Sequence, residues 1–225
     1  MAPQSSNPRP ILAAVLDGAA LASDPLGRAL ALFSAGVDWI QLRDRALEAD
    51  VLIDLACALV EARDAPAVAP KNCRVIVNKR IDIVLSSGAD GAHLGFDALD
   101  PTSVAALLPE TALIGISAHS IRELQALVEI APDDREFYAH LAPIWDPFSK
   151  PASRPALGPD LLAAACGLGL PILAQGGIDP QRASQAIRAG AAGVAVTGIL
   201  GRPENQITAV RQLRAALDGQ TPSRE

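Results

Sequence analysis

Short apolar runs rich in Val, Ile and Leu recur along this chain, and each is followed by a helix-length amphipathic segment. This alternation constrains the fold more than any other feature, because strand–helix repeats lay successive strands parallel in one sheet. Strands are expected at residues 11–16, 37–42, 74–77, 91–94, 113–116, 137–141, 171–174 and 193–196. Helices fill the intervals, at 25–35, 48–63, 81–87, 102–108, 121–130, 159–166, 180–189 and 203–217. Ser120, with Glu123 at capping-box distance, marks one helix start, and Asp179 followed by Pro180 marks another. Gly36, Gly88 and Gly190 stand where helices should close before the next strand. The segments SGADGAHL and AGAAGVAV echo one another, as a repeated strand–helix unit would.

An open doubly wound sheet competes with a closed barrel. Eight units in a chain of 225 residues favour closure, since barrels of this kind need roughly 250. The expectation is a single-domain α/β fold, a (β/α)8 TIM barrel over residues 11–217, between tails at 1–10 and 218–225. Hydrophobic residues make up 50% of the chain and aromatics 3%, which suits an aliphatic core with both sheet faces buried. The net charge of −6, without a basic run, argues against a nucleic-acid partner. No apolar run reaches the roughly 18 residues of a membrane span, and the N-terminus lacks an apolar signal core. A cytoplasmic protein with no membrane partner is expected, and a homodimer only by analogy with other barrels. Cys57, Cys73 and Cys166 show no metal or disulfide spacing; Cys57 and Cys166 read as small core residues of helices.

In a barrel, polar residues just past each strand face the active-site mouth. Taken in order, these are Gln41, Arg43 and Arg45, then Asn78 and Lys79, His93, Ser117 and His119. Ser149 and Lys150 follow in the 142–157 stretch, then Gln175, Gly176 and Gly177, and finally Thr197 and Gly198. The Gly176-Gly177 pair and Thr197-Gly198 are small turns where backbone N–H groups can meet a phosphate. Arg43 and Arg45 suit a second anionic group. Ser149 and Lys150 lie in a loop that could close over a charged ligand. His119 carries an imidazole, the side chain best suited to giving and taking a proton, which makes it the candidate catalyst. His93 reads as a core histidine and His140 carries no assignment. No carboxylate pair occupies the strand ends, so no metal is expected.

These motifs together resemble the thiamine phosphate synthase/TenI superfamily. WIQLRDR resembles V-Q-L-R-E/D-K, and VIVNKRIDIVLSSGADGAHLG resembles I-I-N-D-R-V-D-I-A-L-A-x-G-A-D-G-V-H-L-G. IGISAHSIREL, LAPIWDPFSKPASRPALG, PILAQGGIDP and AGAAGVAVTGIL resemble later family motifs in the same order, across residues 37–200. The resemblance implies a barrel that takes a small phosphorylated thiazole or pyrimidine ligand. Synthases join hydroxymethylpyrimidine diphosphate to a thiazole phosphate with Mg2+, releasing diphosphate. The TenI-like branch includes thiazole tautomerases that work without metal. Both Mg2+-binding Asp positions of the synthases are altered here, to Lys79 and Ala98, with Asp97 one residue out of place. The motif lysine is Arg45, and the first loop threonine has become Pro147. These departures favour a TenI-like, metal-independent isomerase, with His119 moving the proton and Arg43 near the carboxylate. A synthase with a rearranged diphosphate site, using Mg2+, and a non-catalytic phosphate-binding paralogue are the alternatives.

Overall fold

The computed structural model describes residues 9–21, 23–65, 72–95, 98–132, 134–146, 154–200 and 205–219. Eight strands are present: β1 (Ile11–Leu16), β2 (Trp39–Leu42), β3 (Arg74–Asn78), β4 (Gly91–Leu94), β5 (Leu113–Ala118), β6 (Phe137–Leu141), β7 (Ile172–Gln175) and β8 (Gly193–Val196). They close into a barrel in chain order, and every neighbouring pair is parallel, including β8 with β1. Around them lie α1 (Gly18–Leu21), α2 (Pro25–Ala35), α3 (Ala49–Asp64), α4 (Ile81–Ser87), α5 (Pro101–Leu107), α6 (Ile121–Ile130), α7 (Gly158–Cys166), α8 (Pro180–Arg188) and α9 (Gln206–Leu217). A 3-10 turn, Gly198–Leu200, follows β8.

The period of two along each strand separates two cores. Leu12, Ala14, Leu16, Ile40, Leu42, Val75, Val77, Ala92 and Ile114 face outward into a large cluster with the helices. Ala13, Val15, Ile76, Leu113, Tyr138, Leu173 and Ala195 face inward and fill the lumen, with Trp39 packed against them. Trp39 meets Tyr138 edge to face, ring centroids 4.9 Å apart. The lumen is therefore a packed floor on which the mouth is built.

One local device starts three helices. Asp24, Asp100 and Asp179 each precede a proline, and each carboxylate accepts the backbone N–H three residues on. Proline presets the first helical φ while aspartate satisfies an orphan donor. Gly36 and Gly88 close α2 and α4 in left-handed conformations. The first sequence boundary to shift is that of β2, which starts at Trp39 rather than 37, because the Val37 N–H closes α2 on the Leu32 carbonyl. β5 runs two residues past 116, since Ser117 and Ala118 still pair with His140 and Leu141.

Beneath the barrel, Asp38 ties the chain ends together. It accepts from the Leu12 N–H at 2.8 Å and from Arg214 at 2.9 Å, and Arg9 lies 3.3 Å away. Burial raises the Asp38 carboxyl above its ordinary range against the pull of these donors. Cys57 is exposed, not a core residue, because it lies on the outer side of α3 away from Leu55, Ala56 and Leu59. Cys73 is the buried cysteine. Among the described residues, no helix is long and apolar enough to cross a membrane.

Candidate active site

Closure gathers the sequence candidates at the carboxyl ends of the strands. Gln41 and Asn78 come from adjacent strands, and the Gln41 amide Nε2 donates to Asn78 Oδ1 at 3.3 Å. Both are buried, and Gln41 Oε1 is a buried acceptor without a hydrogen-bond partner. His93 stands beside Asn78, as its register partner on β4. Its Nδ1 is 3.2 Å from the Tyr138 hydroxyl and its Nε2 is 2.9 Å from Ser117 Oγ. Gly115 sits beside this pair, and a Cβ there would overlap the Tyr138 ring and His93 Nδ1. The His140 ring lies 4.2 Å from that of His93.

Burial decides the charge state of this floor. His93 is held well below the ordinary imidazole range by desolvation first, then by His140 and by the Arg43 guanidinium. His140 is pushed down to about 3 by burial, with Gln175 pulling the other way. Desolvation likewise pushes the Tyr138 phenol up. The floor is thus polar but neutral. Gln175 faces His140, yet His140 Nε2 has no hydrogen bond of ordinary geometry.

The cations stand at the rim. Arg43 is exposed but close enough to His93 to affect its charge, and Arg45 is exposed two residues further out. Between them, Asp44 accepts the N–H groups of Gly18, Ala46 and Leu47, which pins this loop and holds its carboxyl below the usual range. Lys79 follows Asn78 in a left-handed conformation, φ 63°, and its N–H donates to the His93 carbonyl. Such a backbone is uncommon outside glycine and suits a residue aimed by its turn.

His119 is half-buried two residues past Ser117. Its Nδ1 lies 2.6 Å from the Ala142 carbonyl, which only accepts, so Nδ1 carries a proton and Nε2 is the ring nitrogen left to meet a ligand. Its backbone N–H donates to the Glu123 carboxylate. Gly176 and Gly177 have φ of 95° and 59°. Side chains there would run into Pro143 and into the Asp146 carbonyl, so the glycines are required by packing against the β6 exit. The Ile144 and Trp145 N–H groups bond the Gln175 and Gly176 carbonyls, and Arg182 bonds the Gly177 carbonyl and lies over the Trp145 ring. Thr197 and Gly198 are exposed at the 3-10 turn after β8. Ser149, Lys150 and Asp97 lie outside the described residues.

Among the described residues, those at the two altered positions do not fit a divalent cation. Lys79 brings positive charge, Ala98 brings no oxygen, and the Asn78 amide oxygen is taken by Gln41. A recess of about 740 Å3 lies at the opposite end of the barrel, lined among others by Arg63, Cys73, Arg74 and Asp90. Its guanidiniums are paired with Asp90, and it is remote from the strand ends where the mouth lies. Sequence reasoning did not find Tyr138, His140, Gly115 or Asp44. The alternation that puts Tyr138 and His140 on one face of β6 was the signal available.

Comparisons with known proteins agree with this architecture. The thiamine monophosphate synthase family model matches residues 12–200. A thiamine-phosphate synthase of Chlorobium luteolum is 34% identical over 211 residues, 93% of each chain. One of Azorhizobium caulinodans is 32% identical over 186 residues, 82% of this chain and 84% of that one. The solved thiamine phosphate pyrophosphorylase from Pyrococcus furiosus shares the fold with a TM-score of 0.78 at 19% identity, over 94% of this chain and 96% of that one. A single family model running from β1 to the turn after β8 takes in the whole mouth, and the chain belongs to the thiamine monophosphate synthase family.

Proposed function

We propose that this protein is a transferase that joins a hydroxymethylpyrimidine diphosphate to a thiazole phosphate and releases diphosphate. One observation carries the reading: the mouth has two separate polar halves. On the β2–β5 side, buried Gln41, Asn78 and His93, with half-buried Ser117 at the edge, form a neutral floor suited to a planar heterocycle. On the β7–β8 side, the Gly176-Gly177 and Thr197-Gly198 turns suit a phosphate. Two binding halves suit a reaction of two substrates better than isomerisation of one. The relatives named thiamine-phosphate synthase at 32–34% identity support it too.

Gln41 Oε1 would accept from an amino group on the ring, and Arg43, Arg45 and Lys79 would supply positive charge toward the diphosphate. Ser149 and Lys150, outside the described residues, are further candidates for contacts with it. Purified protein given both half-molecules in magnesium-containing buffer should form thiamine phosphate, and Lys79→Ala should lower kcat/KM by about tenfold or more. Absence of product beside a working control synthase would overturn the reading.

A second reading, a TenI-like thiazole tautomerase, is favoured by Lys79 and Ala98 at the altered positions and by His119, whose ring is oriented by the Nδ1 contact to the Ala142 carbonyl. The same sample assayed for thiazole tautomerisation separates the two. Full tautomerisation by His119→Ala removes His119 as the proton carrier.

A further inference from the structure

Tyr138, His93 and Ser117 form a line from the barrel interior to the mouth. The Tyr138 hydroxyl stands 3.2 Å from Nδ1 and Ser117 Oγ 2.9 Å from Nε2 of the same ring. Tyr138 and His93 are each 2% exposed, while Ser117 is half-buried at the rim. Burial keeps both the phenol and the imidazole neutral, so the ring carries a single proton.

The position of that proton follows from the partners. Among the described residues, the Tyr138 hydroxyl bonds to His93 and to no second group. With the proton on Nδ1, the phenol would accept it and its own proton would be buried without an acceptor, the costlier arrangement. With Tyr138 donating to Nδ1, the phenol proton is satisfied and the ring proton lies on Nε2. Nε2 then donates to Ser117 Oγ. A hydroxyl that accepts from its neighbour keeps one O–H to give. The space left by Gly115 lets the two aromatic rings approach, and His140 packs on the other side of His93.

We propose that Tyr138 and His93 are positioning residues that fix Ser117 as a hydrogen-bond donor into the mouth, so that the ligand group docking there is an acceptor, an anionic oxygen or an unprotonated ring nitrogen. This deepens the proposed function by taking Ser117 as ligand-facing, but the tautomer does not depend on which reaction the site performs.

Long-range 1H–15N correlation spectra of protein labelled at its three histidines test it. His93 is identified by loss of its signals in His93→Gln, or by exclusion using His119→Gln and His140→Gln should the first variant not fold. The neutral Nε2–H tautomer is expected for His93 in the wild type, shifting toward Nδ1–H in Tyr138→Phe. An Nδ1–H tautomer in the wild type overturns the inference. In the coupling assay, Ser117→Ala and Tyr138→Phe should each lower kcat/KM by about tenfold, and the double variant should lose no more than Ser117→Ala alone. Additive losses would show that Tyr138 acts by another route. If no coupling activity exists, the wild-type tautomer still decides the matter.

Discussion

Gly115 carries more of the site than its lack of a side chain suggests. It lies beside the contact between Tyr138 and His93, and a methyl there would overlap both rings. Gly115→Ala should lower stability by about 1–3 kcal/mol through overpacking, measured by urea unfolding, and should shift the His93 ring signals. Lys79 is a second residue whose backbone matters as much as its head group, since its left-handed turn brings its N–H onto the His93 carbonyl. Gly115 was not legible from sequence, and for Lys79 the sequence showed its place past β3 but not its left-handed backbone. A glycine inside a strand run and a lysine after an asparagine look ordinary until β4, β5 and β6 stand side by side. Gln41, Asn78 and Ser117 were legible, because a residue just past an apolar run in a parallel barrel has one face to occupy.

At the scale of elements, starts and stops were easier to read than lengths. Asp-Pro at three helix starts acts within four residues, so the chemistry is local and visible in the sequence. Asp179→Ala removes the cap from the Arg182 N–H and should destabilise by about 1 kcal/mol, a fall of roughly 2–4 °C in Tm by calorimetry. α1 and the 3-10 turn after β8 are too short to show a helical period, and they were not foreseen. The glycine pair after β7 was readable as a tight turn, and its phosphate belongs to the proposed function. The structure adds that it is bonded along the β6 exit through Ile144, Trp145 and Arg182, so the two loops hold one another.

For the whole molecule, two neutral histidines at the centre of the lumen make stability depend on pH. The unfolded chain protonates His93 and His140 near their ordinary 6.5, while in the folded barrel His140 stays neutral down to about 3 and His93 is held well below its ordinary value. The unfolded state therefore binds more protons below 6.5, and stability present above that pH is lost as the pH falls toward 3. The slope from His140 alone approaches about 1.4 kcal/mol per pH unit. Urea midpoints from pH 7 to pH 4 should fall accordingly, and His140→Gln should flatten the fall. Asp38 works in the opposite sense, since its raised carboxyl takes up a proton in the folded state first, just above the usual carboxylate range. Strand–helix alternation and the parallel sheet are legible in the chain because periodicity and capping act over a few residues, and the family because its motifs are short and keep their order. Which polar groups share the lumen is set instead by strand pairing. Closure brings residues as distant as Asn78 and His93, or Ser117 and His140, into neighbouring positions of a stagger that no local pattern encodes. It also buries them together, and that burial sets their protonation.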